Sequence, residues 1–325
     1  MPRQNQFAIR FNRRERPSVA YFIRVDAFAI FAELLSCLQT LPTATHDRCA
    51  SYRVISCVDP RSGYDCMSAE QSSVRTHPAV EIREVSSIDE YDACIRLQRA
   101  VFGLPDLEIS PRRHLIVSRM AGGWTLGAFV KGELVGFVHH LAAARGNEIF
   151  GYSHMMAVAA DYQNQGIGAR LKWAQRARTL GEGRDFIKWT FEPMRARNAH
   201  FNLNRLGVVV REYAVNFYGT DYVTNPAEKA AGISGMDSDR LFASWELNSP
   251  RVEALAAQLE YPLPTAEHSI EIPEEFSALV QRDPASAKDE VLRVRAEFLQ
   301  ALSDGLVCRA FERGSERSRY LFYRE

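Results

Sequence analysis

The chain has 325 residues, of which 46% are hydrophobic and 25% are charged, as in ordinary soluble globular proteins. Its 40 Lys and Arg residues balance 40 Asp and Glu residues, so the formal net charge is zero. This balance argues against a broad electrostatic surface for nucleic acid or for an anionic membrane. No run of about 18 apolar residues occurs, which excludes a simple spanning helix. The composition therefore predicts neither a nucleic-acid partner nor a membrane partner.

The six cysteines carry little functional signal. None forms a C-x-x-C pair, and no Cys and His spacing suits zinc, so we expect no metal site. Most of them lie near the N-terminus, and the rest of the chain is typical of a reduced protein. We therefore expect a cytoplasmic bacterial protein.

Residues 1–78 differ from the rest of the chain. The first 66 residues contain nine Arg, no Lys and six acidic residues, and they show no sustained apolar period after residue 40. We interpret 1–78 as an N-terminal extension outside the folded domain, disordered or not part of the native protein. A targeting segment and a docking segment stay open as alternatives.

Short strands and two helices are predicted between residues 79 and 158. Ser87 and Glu90 have the spacing of a capping box, which predicts the start of the first helix, and Gly103 predicts its end. Three strands joined by short turns come next, so antiparallel pairing is expected. The predicted elements are a strand at 80–85, helices at 88–102 and 111–120, and strands at 124–130, 133–142 and 148–158.

The pattern changes after residue 159. A loop without a strand or helix period leads to Gly166, which opens a helix that ends near residue 181. A strand, loop, helix, strand passage predicts a right-handed crossover between parallel strands, so the sheet should be mixed. The next elements are a strand at 185–192, a helix at 198–206, and strands at 208–213 and 241–247.

The residues after 247 are more polar and have their own pattern of elements. A long helix is predicted at 285–303, and a hairpin is predicted from strands at 306–312 and 318–323. We therefore expect three parts: the extension 1–78, a central α/β domain at 79–247, and a small C-terminal α+β subdomain at 248–325.

The most informative motif is Q-N-Q-G-I-G-A at 163–169. Its two glycines, Gly166 and Gly168, lie where the chain leaves a strand and enters a helix. Glycine lets the backbone approach a ligand closely, and the first helical turn offers unpaired N–H groups and the positive end of the helix dipole. The motif therefore suits a pyrophosphate. It is not a P-loop, because no Gly-Lys-Ser/Thr follows.

The order of these elements, together with Q-x-x-G-x-G before the helix, resembles the GNAT acyltransferase superfamily over about 80–247. The strings W-T-F-E-P, N-F-Y-G and S-D-R-L are similar to a branch of predicted acetyltransferases. The resemblance implies a largely antiparallel mixed sheet flanked by helices, and acetyl-CoA or another acyl-CoA as cosubstrate without a metal. It implies cofactor contacts from Met156, Ala157, Val158, Gln163, Asn164, Gln165, Gly166, Ile167, Gly168, Ala169 and Asn198.

One position departs from the family. Many members place a Tyr four residues before the glycine that ends this helix, as the acid for the departing thiolate, and here Leu203 occupies that place. Tyr218 is our candidate for a substitute acid, although a packed or hydrogen-bonded tyrosine is the alternative. A thiol pKa near ~8.5 makes the thiolate a fair leaving group, so a reaction without an acid also stays open.

The family's reaction is direct attack of an amine on the thioester, which needs a base. We favour Glu192, at the end of the predicted strand, and take His154 as the second choice. A loop carboxylate and a core histidine are the alternatives. Asp239 and Arg240 are candidates for reading a charged substrate, or for a surface ion pair.

The predicted function is transfer of an acetyl group from acetyl-CoA to an amine of a small molecule. A catalytically weak acyl-CoA sensor and an interaction module on the same fold are the alternatives. A homodimer stays open. Lys172 and Arg170, close to the glycine motif, are predicted to meet the ribose phosphate of the coenzyme or to form a solvated helix face.

Overall fold

The computed structural model describes residues 79–220 and 236–325, so the predicted extension 1–78 lies outside the described residues. The described residues all belong to one unit, Ser73–Glu325. No helix among them has the length and the apolar character that crossing a membrane requires.

The described residues contain ten strands and seven α-helices, and most of the predicted elements are confirmed within one or two residues. Up to the crossover the elements are β1 (Val80–Glu84), α1 (Ile88–Phe102), α2 (Arg112–Met120), β2 (Trp124–Val130), β3 (Glu133–Arg145), β4 (Glu148–Val158), α3 (Ile167–Gly181) and β5 (Phe186–Phe191). The later ones are α4 (Ala196–His200), β6 (Val209–Ala214), β7 (Arg240–Glu246), α5 (Pro250–Ala256), β8 (His268–Pro273), α6 (Phe276–Arg282), α7 (Pro284–Ser303), β9 (Leu306–Glu312) and β10 (Arg317–Arg324).

Local sequence chemistry explains the first helix. The Ser87 hydroxyl accepts from the Glu90 amide at 3.2 Å, and the Glu90 carboxylate accepts from the Ser87 amide at 3.1 Å. This reciprocal pair satisfies amides that the helix start would otherwise leave unpaired. Gly103 ends the helix with φ 59°, a left-handed conformation that glycine adopts without steric cost.

All ten described strands join one sheet, in the order β1-β2-β3-β4-β5-β7-β6-β9-β10-β8. Strands β1 to β4 pair in antiparallel fashion, as their short connections predict. Strands β4 and β5 are parallel, because the crossover helix α3 connects them. The fold is therefore the predicted mixed and largely antiparallel sheet flanked by helices.

The core of the first half has a layer on each side of the sheet. Strand β2 is buried along its whole length, as expected for a strand covered on both faces. Its residues Trp124 and Leu126 pack with Ile167 and Leu171 at the start of α3. Phe129, which faces the other way, belongs to the cluster under α1 and α2. Alternate side chains of this one strand thus point to opposite faces of the sheet, where each set packs against a different helical layer.

The C-terminal residues extend this sheet. Strand β9 pairs with β6 at Val210 and Cys308, and β10 and β8 follow outward. Phe298 of α7 and Trp245 of β7 belong to the same buried cluster. The hydroxyl of the buried Tyr320 donates to the Pro193 carbonyl at 2.7 Å. The predicted subdomain 248–325 therefore shares both its sheet and its core with the central domain.

Gly151 on β4 yields a stability prediction. A Cβ atom there would lie 2.2 Å from Cε1 of His140, which is fully buried and stacked on Trp124 with 4.1 Å between ring centroids. Because the ring cannot move aside, we expect Gly151→Ala to lower the free energy of unfolding by about 1–3 kcal/mol. Gly181→Ala is the matched control, since a Cβ at Gly181 meets nothing within 4 Å. Urea titration should show the loss in the first variant alone, and equal midpoints would contradict this packing argument.

Candidate functional site

Strands β4 and β5 separate soon after they meet. Their parallel pairing is confined to Gly151 with Ile187 and Tyr152 with Lys188, although both strands continue. A cavity of about 550 Å³ opens beyond the last pair. It is lined by side chains from α1, β4, α3, β5 and the helix after β5, together with Tyr218 and Arg240. The parting of two neighbouring strands therefore creates a cleft in the middle of the sheet.

The glycine motif forms the N-terminal turn of α3 beside this cleft. Gly166 is the residue that precedes the helix, at φ 78°, and Asn164 before it has φ 62°. The amides of Ile167, Gly168 and Ala169 lie in the first helical turn, where no earlier carbonyl is available to them. A Cβ atom at Gly166 would meet nothing within 4 Å, so the backbone there is open to a ligand. The turn has the form of an anion site.

The polar side chains of the motif hold the loop in shape. Gln163 donates to the Val158 carbonyl at 3.0 Å, and Gln165 donates to the Asp161 carbonyl at 2.8 Å. The side-chain oxygen of Asn164 accepts from the Arg197 guanidinium at 2.8 Å. Backbone amides are thus left as the contacts for an anion, and Arg197 adds positive charge beside them.

The cofactor strand predicted from the sequence borders the cleft. Met156 lines the cavity, and its Cε lies 3.5 Å from the position of a Cβ at Gly168. Ala157 and Val158 are buried in the two core layers, so they can contact a ligand only through backbone atoms. The β4 edge past Tyr152 is not paired with β5, which leaves backbone groups facing the cleft.

His154 lies at an irregularity of β4. His140 on β3 is paired with Ser153 and His139 with Met155, so His154 is the additional residue of a bulge. Its side chain lines the cavity, and its Nε2 is 3.1 Å from the Ser110 hydroxyl. His154 is exposed at the cleft, and partial loss of water around its ring, with a smaller effect of His114, lowers its pKa to about 4. The ring is therefore neutral at pH 7.

Glu192 also lines the cavity, directly after β5. Its carboxylate forms ion pairs with Arg195 at 2.7 Å and with Arg240 at 3.3 Å. Each guanidinium group meets one of the two carboxylate oxygens, and both favour the charged form of the carboxylate. The Glu192 carboxylate is thus held in two ion pairs, whereas the neutral His154 ring is bonded to one hydroxyl group.

The remaining candidate side chains separate into two groups. Tyr218 lines the cavity, 3.2 Å from the Thr190 hydroxyl, and the Arg240 guanidinium lies 5.1 Å from its ring centroid. Asp239 is buried and does not line this cavity. Its carboxylate accepts from the Tyr213 hydroxyl, the Asn216 amide and the Arg295 guanidinium. Of the predicted acceptor-reading pair, only Arg240 therefore reaches the cleft.

Residues 91–207 match the sequence model of the Acetyltransferase (GNAT) family. Over these residues the chain is therefore similar to the GNAT acetyltransferases. The matched segment runs from α1 to the end of the helix after β5, and so includes the cleft strands and the glycine motif. A search of curated proteins gives no match.

Several solved structures of acetyltransferases resemble the chain at low identity. The ribosomal-protein-S18-alanine N-acetyltransferase from Escherichia coli is 13% identical, with 53% of this chain and 96% of that chain covered and a TM-score of 0.42. A GNAT family acetyltransferase from Elizabethkingia anophelis with acetyl-CoA bound is 16% identical, with 51% of this chain and 97% of that chain covered and a TM-score of 0.38. An aminoglycoside acetyltransferase from an uncultured soil metagenomic sample is 21% identical, with 33% of this chain and 74% of that chain covered and a TM-score of 0.31.

The helix after β5 presents a different residue to the cleft from the one the sequence suggests. Leu203 is fully buried in the core, whereas Asn198, Phe201 and Asn202 line the cavity. These three residues have the i, i+3, i+4 spacing of one helical face, and the helix ends in a π-helical turn, Phe201–Arg205. Asn198 and Asn202 are therefore the two amides of this helix that face the cleft.

Lys172 corrects a further prediction from the sequence. The sequence places it with Arg170 on the ribose phosphate or in solvent, but its side chain is buried and lines the cleft. Arg170 instead donates to the Val80 carbonyl at 2.5 Å. Both residues are on α3, and only the fold shows which of its faces turns towards the sheet.

Three imidazoles gather beneath the cleft without forming a metal site. The ring centroids of His114, His139 and His154 lie 5.5–6.0 Å apart. No group of three or more His, Cys, Asp or Glu side chains in 79–220 and 236–325 has the geometry to hold a metal ion. His139 is bonded to the hydroxyls of Ser118 and Thr125, so its neutral ring is fixed by the packing.

Proposed function

We propose that this chain transfers an acetyl group from acetyl-CoA to the amine of a small molecule by direct attack. The observation that carries the proposal is the cleft where β4 leaves β5, with the open N-terminal turn of α3 beside it. Amides of Ile167, Gly168 and Ala169 would hold the pyrophosphate, and the free edge of β4 would bind the amide groups of the pantetheine arm. Asn198, next to Arg197, would contact the same arm.

The acceptor would enter from the side of Tyr218 and Arg240. His154 would take the proton from the attacking nitrogen, which becomes strongly acidic as its bond to carbon forms. The Glu192, Arg195 and Arg240 cluster would orient polar groups of the acceptor. A partly enclosed cavity with charges of both signs favours a small polar amine over an extended peptide. A cytoplasmic location and a homodimer stay predictions from the sequence.

The test combines binding and turnover on the full chain. We expect calorimetric titration of acetyl-CoA to give a dissociation constant in the micromolar range, and a panel of small amines to release free thiol. Binding without thiol release from any amine would favour the acyl-CoA sensor instead. Absence of binding would contradict the cofactor assignment and favour an interaction module.

A further inference from the structure

Lys172 is a buried amine that has no counter-ion among the residues that the structure describes. Its side chain projects from α3 into the sheet, where Nζ donates to the Ser153 hydroxyl at 2.8 Å and to the Gln175 side-chain oxygen at 3.1 Å. Nζ also lies 3.7 Å from the centroid of the Trp189 ring. No carboxylate of residues 79–220 and 236–325 pairs with it within 4.0 Å. Burying an uncompensated ammonium is costly, so this site favours release of a proton from Nζ.

Ser153 connects this amine to the cleft. It is the first residue of β4 beyond the last pair with β5, and it lines the cavity together with Lys172. Because Lys172 donates to the serine oxygen, the serine's own hydrogen is left to donate elsewhere. The cleft therefore contains a hydroxyl group that can donate its own proton while its oxygen accepts a hydrogen bond from an amine.

The position of Ser153 matches the reactive end of the cosubstrate. The phosphate turn meets β4 at Met156, beside Gly168. Ser153 lies three residues earlier on the strand, which corresponds to about 10 Å. A pantetheine arm that runs from the turn along the free edge of β4 would carry its sulfur towards Ser153.

We propose that Ser153 and Lys172 together supply the proton to the departing thiolate. The proposal rests on the function proposed above and deepens it. As the carbon–sulfur bond breaks, the sulfur's electron pair takes the Ser153 hydroxyl proton, and the serine oxygen takes a proton from the Lys172 ammonium. The acceptor nitrogen loses one proton in the same reaction, and that proton restores Lys172 through the solvent of the open cleft. Ser153 touches the sulfur, while Lys172 acts through Ser153.

The surroundings of Lys172 suit an acid. Ser153 faces Nζ from β4, Trp189 from β5, Trp245 from β7, and Gln175 from its own helix. Gln175 leads on to His140 of β3, a ring that burial keeps neutral by lowering its pKa to about 3. Burial also lowers the pKa of Lys172 well below its ordinary value, so its ammonium gives up a proton more readily than an exposed lysine does.

The experiment compares Ser153→Ala and Lys172→Met with the control Lys188→Met. Lys188 lies on β5 near the rings of Phe150 and Phe186 and does not line the cleft. We expect the first two variants to lower kcat about 10- to 100-fold, up to the lower limit of the effect of proton transfer, because the thiolate is a fair leaving group. Their acetyl-CoA dissociation constant and acceptor KM should stay within about threefold, and the control should match the parent protein. Ser153→Thr, which keeps the hydroxyl, should recover most of the activity.

The pH profile shows the direction of proton transfer. If Lys172 is the acid, kcat of the parent protein falls on the alkaline side as the ammonium is lost, and Lys172→Met lacks that limb. A normal kcat in Ser153→Ala with normal binding would overturn the proposal, whether or not Lys172→Met folds. An acidic limb that disappears in Lys172→Met would make Lys172 a base and overturn it too. A parent protein that binds acetyl-CoA but turns over no amine would instead refute the proposed function, and this inference with it.

Discussion

Gly166→Val should weaken acetyl-CoA binding about 10- to 100-fold. Hydrogen bonds to charged groups contribute about 1.5–3 kcal/mol, and every 1.4 kcal/mol corresponds to about tenfold in the dissociation constant. A branched side chain at Gly166 would fill the open space in front of the α3 amides, where the phosphates are proposed to lie. Calorimetric titration of the purified variant measures the change directly.

Gly132→Val is the matched control for this substitution. Gly132, in the turn between β2 and β3, has φ 84°, close to the 78° of Gly166, and a Cβ at either position meets nothing within 4 Å. Both variants should therefore lose about 1–2 kcal/mol of stability from a left-handed branched residue. Only Gly166→Val should lose affinity. Equal dissociation constants for the two variants would contradict the phosphate assignment.

Features set by local sequence chemistry could be predicted. The capping box at Ser87 and Glu90, the glycine that ends α1, and the Gly166 start of α3 depend on neighbouring residues alone. The order of the elements then fixes the crossover between β4 and β5, because parallel strands require one. For these reasons the fold and the position of the glycine motif follow from the sequence.

The direction in which an individual side chain points could not be predicted in the same way. In the sequence, Lys172 has the pattern of a solvated helix residue, but in the structure the sheet covers it. Asp239 has the pattern of a surface charge, but Arg295 and Tyr213 surround it. Leu203 lies in the core and Asn202 lines the cleft, because the sheet decides which face of the helix after β5 is covered. Each case depends on contacts between residues far apart in the chain.

The sequence also did not predict that the strands after residue 248 would extend the central sheet. A helix and a hairpin with their own apolar faces are equally compatible with a separate cap and with an extended sheet. The pairing of Val210 with Cys308, and the burial of Phe298 against the same core, decide for the extended sheet. The paired residues Val210 and Cys308 are 98 positions apart in the chain, and they meet because β6 presents an open edge to β9.

His154→Gln should lower kcat about 100-fold or more while the acetyl-CoA dissociation constant stays within about threefold. Glutamine keeps a polar group of similar reach, but it cannot accept the proton of the attacking nitrogen. Since the pKa of His154 is lowered to about 4, its neutral form is present throughout pH 6–8. The contribution of this base is therefore lost only as pH falls towards 4. Steady-state kinetics with an amine found active in the panel measures both effects.

Glu192→Gln is the companion variant, because it distinguishes the two candidate bases. The Glu192 carboxylate is held by Arg195 and Arg240, so its loss should raise the acceptor KM and lower kcat by less than about tenfold. The opposite result, a large fall in kcat for Glu192→Gln and a small one for His154→Gln, would assign the base to Glu192. That outcome would also mean that the carboxylate accepts the proton on a lone pair that Arg195 and Arg240 leave open, since each carboxylate oxygen has two.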